Sequence, residues 1–167
     1  PKEETKEMKR DAFRDDWTTL DLQAAYDHLA AQDNVDAARI GIVGHCWGGR
    51  VAWLGACHNP GYKACAIFYG GRIKLPMGPG TPPAIELAAN INCPVAGYFG
   101  GQDKNPSPED VNDYEAALKA AGVEYEFHRY TDAGHGFQSF ENPKRFHAEA
   151  SEAAWGEALG FLGDKLG

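Results

Sequence analysis

Cys46 stands between glycines in the segment Arg-Ile-Gly-Ile-Val-Gly-His-Cys-Trp-Gly-Gly, residues 39–49. An apolar run precedes this cysteine and a longer run follows it, which predicts a strand-to-helix turn, the nucleophile elbow, with the thiol at its apex. Gly44 and Gly48 lack the side chains that would collide in such a turn. The sulfur would then lie at a helix N-terminus, where the helix dipole favours thiolate and the backbone N–H of Trp47 points at a developing oxyanion.

Two further residues are placed to activate this thiol. A nucleophilic thiol needs a base, and the base needs a group that orients it. Asp103 follows an apolar run and a Gly-Gly-Gln turn, and His135 lies within Ala-Gly-His-Gly-Phe, residues 133–137, after the next such run. The order nucleophile, acid, histidine is the one that α/β-hydrolases use. We therefore predict Cys46 as nucleophile, Asp103 as acid and His135 as base.

Other interpretations of these residues stay open. Asp132 is a rival carboxylate, but its place three residues before His135 is more typical of a turn. Glycine-flanked strand-to-helix turns also bind phosphates. A thiol redox protein is disfavoured because the sequence has no Cys-x-x-Cys pair. A zinc site would need ligands whose spacing matches no usual pattern, namely His45, Cys46, Cys57 and His58.

Four predicted strands would place these residues at their carboxyl ends. Apolar runs bounded by turn residues predict the strands, at residues 39–43, 64–69, 94–99 and 124–130. A loop rich in glycine and proline, residues 70–83, separates the second strand from a helical turn near residues 84–89.

Helices are predicted between and around these strands. The first, of about 14 residues, begins behind Thr18 and Asp21 as caps and carries apolar residues at helical spacing, namely Leu22, Ala25, Tyr26 and Leu29. The second covers residues 47–57, and the third begins behind the cap Ser107 and ends at Gly122. The last has a predicted apolar face of Trp155, Leu159, Leu162 and Leu166.

This alternation of strands and helices favours an α/β fold with a parallel sheet covered on both faces. In such sheets, function collects at the carboxyl ends of the strands. A chain of 167 residues, 43% hydrophobic and 24% charged, has the composition of one globular domain, residues 1–167.

Charge and cysteine content restrict the partners and the compartment. The formal net charge of −8 disfavours nucleic acid and anionic membrane surfaces as partners. The sequence contains no apolar run long enough to span a membrane. Cys57, Cys65 and Cys93 lie within apolar runs, which is typical of reduced, buried thiols, so we expect a cytoplasmic protein. The chain begins with Pro1 rather than methionine, so a targeting segment before it would not be seen.

Three motifs together resemble the dienelactone hydrolase family, also called carboxymethylenebutenolidases. They are the Gly-x-Cys-x-Gly-Gly elbow at 44–49, the Gly-x-Asp turn that ends at Asp103, and Ala-Gly-His-Gly-Phe at 133–137. The similarity runs from about Leu20 to the C-terminus and places the chain in the α/β-hydrolase superfamily.

The resemblance implies hydrolysis of a small lactone or carboxylic ester through a thioester acyl-enzyme. Cys46 would attack the carbonyl, the N–H of Trp47 would form part of the oxyanion hole, and His135, oriented by Asp103, would transfer the protons. The family's chemistry needs no metal or organic cofactor. Tyr69 and Phe137, near strand ends, are expected to line the substrate pocket, although aromatic residues there are as often core.

The sequence departs from the family's pattern in its substrate-binding residues. The prototype has an arginine four residues after its histidine to bind the substrate carboxylate, and Ser139 stands at that position here. Arg10 and Arg14 lie roughly where the family has a second such arginine.

The family's fold also has about eight strands, with the nucleophile after the fifth, whereas one strand is predicted here before Cys46. We therefore expect only the C-terminal half of the fold. In the family, the other half supplies the second oxyanion donor and a glutamate that keeps the resting thiol in place, and we expect neither here. The first strand would be an open apolar edge prone to self-association. The competing hypothesis is a non-catalytic remnant that binds a small ligand or a partner.

Overall fold

A computed structural model describes residues 13–167. Its centre is a parallel sheet of four strands in the order β1-β2-β3-β4. The strands are β1 (Ile42–His45), β2 (Cys65–Phe68), β3 (Val95–Gly100) and β4 (Tyr125–Tyr130). The predicted α/β fold with a parallel sheet is confirmed.

Helices cover both faces of this sheet. They are α1 (Asp15–Ala30), α2 (Trp47–His58), α3 (Pro108–Ala121) and α4 (Ala148–Leu166). Short 3₁₀ segments cover Ala37–Arg39 and Ala84–Asn90, the second where a helical turn was predicted. No helix within residues 13–167 combines the length and the apolar character needed to cross a membrane.

Side chains that alternate along the strands supply two separate apolar cores. One face of the sheet contributes Ile67 and Val95 to a core shared with α2, α3 and the second 3₁₀ segment. The other face contributes Phe68 and Tyr98 to a core closed by α4. This alternation follows from the period of two in a β-strand, and it leaves the strand ends free to carry a site.

The α3 helix begins and ends as predicted. Ser107 accepts a hydrogen bond from the backbone N–H of Asp110, and the Asp110 carboxylate accepts one from the N–H of Ser107. This capping box satisfies backbone donors at the helix start. Gly122 ends the helix with φ 71°, a left-handed conformation that glycine adopts at little cost.

The predicted start of α1 was wrong. The helix begins at Asp15, and Thr18 lies inside it with its hydroxyl donating to the carbonyl of Arg14. Threonine makes this local bond to a preceding carbonyl within helices as well as at caps, so its presence did not fix the boundary. Of the predicted apolar face, Leu22 and Tyr26 pack against the core, whereas Leu29 is 46% exposed.

The predicted apolar face of α4 was only partly correct. Its buried residues are Ala150, Ala154, Ala158 and Phe161, while Trp155 and Leu159 are about half exposed. Three of these four buried residues are small alanines, which add little to an apolar pattern. The large apolar residues Trp155 and Leu159 lie beside this buried stripe rather than on it.

The first strand is shifted from its predicted range and is an edge strand. It covers Ile42–His45, because Ala37–Arg39 forms a 3₁₀ turn capped by the Asp36 carboxylate. Val43 on this strand is 43% exposed. Among the described residues β1 pairs only with β2. Self-association through this edge stays a prediction, which sedimentation at increasing protein concentration would check.

Candidate active site

Cys46 lies between the last residue of β1 and the first residue of α2, with φ 55° and an exposed side chain. A left-handed φ is strained for a residue with a β-carbon, and such strain persists only where the surroundings hold it. The Cys46 N–H donates to the carbonyl of Phe68, and its own carbonyl accepts from Gly49 N–H. These bonds fix the predicted elbow at the carboxyl end of the sheet.

Gly44 makes the elbow possible, and its substitution has a clear expected result. A β-carbon at residue 44 would lie 1.9 Å from the carbonyl oxygen of Gly48, whereas a β-carbon at residue 48 would meet nothing within 4 Å. Gly44→Ala should therefore lower the free energy of unfolding by about 3 kcal/mol or more, while Gly48→Ala should change it by less than about 1 kcal/mol. Urea denaturation followed by circular dichroism measures both, and equal losses would contradict this account of the turn.

The three residues predicted to act together are in contact. The sulfur of Cys46 lies 3.0 Å from Nε2 of His135, and Nδ1 of His135 lies 2.9 Å from Oδ2 of Asp103. Asp103 follows β3 and its side chain is 1% exposed, whereas His135 follows β4 and is partly exposed. The second oxygen of Asp103 accepts from the N–H of Asn105 at 2.8 Å. A thiol, an imidazole and a buried carboxylate thus form one hydrogen-bonded chain.

The rival residues lie elsewhere. Asp132 is exposed on the turn after β4, and it is Asp103 that bonds His135. His58 bonds the carbonyl of Leu54 within its own helix. Within residues 13–167, no group of three or more His, Cys, Asp or Glu side chains is arranged to hold a metal ion.

The contacts shift the pKa values of the thiol and the imidazole in opposite directions. The hydrogen bond and the charge of His135 lower the pKa of the Cys46 thiol, and burial opposes them with a smaller effect. The charge of Arg145 lowers this pKa slightly further. The hydrogen bond to Asp103, followed by that to Cys46, raises the pKa of His135 to about 10. These contacts therefore favour the thiolate and imidazolium forms of the pair.

These shifts predict which cysteine reacts with an alkylating reagent. Burial raises the pKa of Cys57 to about 12 and that of Cys93 to about 11, and it raises the pKa of the fully buried Cys65 as well. Native protein should take up iodoacetamide at Cys46 alone, with all four thiols labelled after denaturation. Raising the pH through the Cys46 pKa forms the thiolate, so the midpoint of labelling should lie below ~8.5, the value of a free cysteine. Peptide mass spectrometry across a pH series checks both statements.

A small cavity of about 70 Å³ opens beside the thiol. Its lining residues come from the elbow and from loops after β2, β3 and β4, and they are Cys46, Trp47, Gly71, Arg72, Asn105 and His135. A second, wider depression of about 330 Å³ lies along residues 102–105 and shares Asn105 and His135 with the first. His135 therefore borders open space on two sides.

The two aromatic residues predicted to line the substrate pocket are buried. Phe137 is fully buried and its ring centroid lies 5.1 Å from that of Tyr69. The Tyr69 ring in turn packs edge-on against the His135 imidazole at 5.4 Å. Neither side chain lines the cavity beside the thiol that the described residues form. Tyr69 packs against the imidazole and Phe137 packs against Tyr69, whereas Trp47 does line the cavity.

The structure adds two arginines that sequence reasoning missed. Arg72 lines the cavity from the loop after β2, with φ 60°. Arg145 lies over Gly136, its Cδ 3.6 Å from where a β-carbon would stand, and Ser139 is at the same place. Arg14 instead pairs with Asp16, and Arg10 lies outside the described residues. The double glycine before Arg72 hinted at a special turn, but nothing in the sequence placed Arg145 near the thiol.

Comparison with known proteins agrees with the fold. The family model of the dienelactone hydrolase family matches residues 2–166. A protein of Escherichia coli strain K12 named "Putative carboxymethylenebutenolidase" is 38% identical over 141 residues, which are 81% of this chain and 51% of that protein. A protein of Bradyrhizobium named "Probable 2-oxo-3-(5-oxofuran-2-ylidene)propanoate lactonase" is 27% identical over 85% of this chain and 57% of that protein.

Solved structures give the same result. The crystal structure of a "Putative Dienelactone Hydrolase" from Klebsiella pneumoniae superposes with a TM-score of 0.83 and 31% identity, over 91% of this chain and 62% of that one. The four-stranded sheet is therefore part of an α/β-hydrolase fold. The chain spans about half the length of the curated relatives it matches.

Proposed function

Because the chain belongs to the dienelactone hydrolase family, we propose that it is a hydrolase that cleaves a small lactone or carboxylic ester through a thioester on Cys46. The observation that supports this proposal most directly is the contact chain from the Cys46 sulfur through the His135 imidazole to the buried Asp103 carboxylate. Geometry of this kind is how an activated nucleophile is recognised.

The reaction would take place in two steps, and His135 gives up a proton in the first and regains one from water in the second. The Cys46 thiolate attacks the carbonyl carbon, and the C–O bond to the leaving oxygen breaks as His135 Nε2 gives that oxygen its proton. Neutral His135 then takes a proton from water, whose hydroxide attacks the thioester carbon. The acid leaves, and Cys46 and His135 return to thiolate and imidazolium.

Developing charge on the carbonyl oxygen needs a donor, and we assign this role to the backbone N–H of Trp47. It is the first residue of α2, directly after the nucleophile, where N–H groups have no partner within the helix. The positive end of the helix dipole acts on the same oxygen.

We propose further that the preferred substrate carries a carboxylate. Arg72 lines the cavity, and Arg145 lies close enough for its charge to act on the Cys46 sulfur. Guanidinium groups bind carboxylates with paired hydrogen bonds. The lactone in the name of the Bradyrhizobium relative, a propanoate, is an anion of this kind.

An active-site titration tests this proposal. Mono-p-nitrophenyl succinate and the neutral p-nitrophenyl butyrate should each release about one nitrophenolate per chain in a fast phase, as expected for an acyl-enzyme. The anionic ester should have the higher kcat/KM, and Arg145→Met should lower its kcat/KM several-fold while the neutral ester is little affected. If the chain is instead a non-catalytic remnant that binds a ligand, neither ester gives a burst.

A further inference from the structure

A buried ion pair lies directly beneath the elbow. Arg50, fully buried, donates from Nη1 to Oδ1 of Asp15 at 2.5 Å and from Nη2 to Oδ2 at 2.7 Å, and Asp15 is 3% exposed. Burying two charges costs desolvation energy that their attraction often does no more than offset. A buried ion pair is therefore weak evidence of stabilisation. The other hydrogen bonds of Arg50 and Asp15 show which segment the pair holds in place.

Those contacts converge on one loop. Arg50 donates from Nε to the carbonyl of Arg72 at 3.2 Å and from Nη2 to that of Leu75 at 3.1 Å. Asp15 accepts from the N–H of Met77 at 3.2 Å, and its own N–H donates to the carbonyl of Met77 at 2.8 Å. The two charged side chains thus bind the backbone of residues 72–77 at three places, and we call this segment the 72–77 loop.

The first residue of the 72–77 loop is the one that lines the cavity. Arg72 has a left-handed φ of 60°, a conformation that a residue with a side chain keeps only when its surroundings impose it. Its carbonyl accepts both the Arg50 bond and a bond from the N–H of Leu75. The hydrogen bond from Arg50 therefore helps to hold Arg72 in its strained conformation.

The same guanidinium also lies near Trp47, another residue of the cavity lining. Arg50 is in the first turn of α2, four residues after Cys46, and its Cζ lies 5.7 Å from the centroid of the Trp47 ring. Trp47 and Arg72 both line the cavity. One rigid, planar group thus lies beside two of the residues that line the cavity.

We propose that Asp15 and Arg50 are positioning residues, whose buried ion pair sets the place of Arg72 relative to the Cys46 sulfur and so the preference of the site for anionic reagents. The inference rests on the proposed function only in its choice of an anionic substrate. It requires neither that the thioester form nor that it be hydrolysed.

Alkylation of Cys46 tests the positioning role without turnover. The rate ratio of iodoacetate, an anion, to iodoacetamide, its neutral analogue, is measured at Cys46 and divided by the same ratio for free cysteine. Both reagents meet the same thiolate, so a change in thiol pKa cancels. A displaced guanidinium weakens its Coulomb attraction for the anion, so Arg72→Met and Asp15→Asn should each lower the ratio about three- to tenfold. The double variant should lower it no further than either single one.

The exposed pair of Asp36 and Arg39 supplies the matched control, because it precedes the amino end of β1 rather than the site. Asp36→Asn should leave the ratio unchanged.

Should Asp15→Asn fail to fold, Arg50→Lys, which keeps the charge without the planar fork, is measured by the same criterion. A folded Asp15 or Arg50 variant with a lowered melting temperature and the wild-type ratio would show a purely structural pair and overturn the proposal. An unchanged ratio in Arg72→Met would overturn it as well. A lowered ratio in a chain that forms no acyl-enzyme would support positioning while refuting the hydrolase proposal.

Discussion

Cys46→Ala should lower the turnover of an activated ester by about 10³-fold or more and remove the fast release of product. Alanine has no group that can form a covalent intermediate. The effect is large because every step of the proposed reaction begins or ends on this sulfur. What remains should be the slow reaction of water assisted by the oxyanion donor. Steady-state hydrolysis of p-nitrophenyl butyrate, with the first turnover recorded by stopped flow, measures both quantities.

Cys57→Ala is the matched control for that experiment. Cys57 is buried in α2, and the raised pKa of its thiol, about 12, leaves it without nucleophilic thiolate at neutral pH. Its loss should reduce the free energy of unfolding by about 1–2 kcal/mol and leave the burst intact. A burst that survives Cys46→Ala, or disappears with Cys57→Ala, would place the nucleophile elsewhere.

Asp103→Asn should lower turnover by about 10²- to 10⁴-fold with little change in fold. An asparagine can keep its oxygen on the N–H of Asn105, which now bonds Oδ1 of Asp103 at 2.8 Å. Its amide group then faces Nδ1 of His135 as a donor and imposes the wrong tautomer, so that Nε2 carries a proton it should accept.

The same variant should shift the titration of the thiol. Asp103 is the first cause of the raised pKa of His135, so without it the imidazolium loses its proton at lower pH. A neutral imidazole no longer stabilises the thiolate, so the midpoint of Cys46 alkylation should move to higher pH. Asp132→Asn, which removes an exposed carboxylate three residues before His135, should change neither turnover nor midpoint. An upward shift in that control instead would favour the rival assignment.

The triad contacts were predictable because each residue sits in a local motif at the end of a strand. Parallel strands bring their carboxyl ends to one edge, so the elbow at Cys46 and the turns at Asp103 and His135 had to meet there. Apart from these local motifs, only the order of the strands decides that the three residues meet. The caps of α3 were predictable for the same reason, since Ser107 and Gly122 act within one turn of their own positions.

Features that depend on partners distant in sequence were missed. The start of α1 at Asp15 coincides with its bond to Arg50, which is 35 residues away. Arg145 reaches the site only because the chain after His135 folds back over Gly136. The buried face of α4 depends on how closely the helix approaches the sheet, and small alanines do not mark a face by hydrophobicity. These outcomes are set by tertiary packing, which residue spacing does not encode.

The most direct test of the central claim is to trap the covalent intermediate. The protein is mixed with p-nitrophenyl acetate, quenched with acid within the burst, digested and analysed by mass spectrometry. The account predicts one acetyl group per chain, on the peptide that contains Cys46, removable by hydroxylamine as a thioester is. An acetyl group on another residue, or an unmodified Cys46 while nitrophenolate is released at the enzymatic rate, would contradict it.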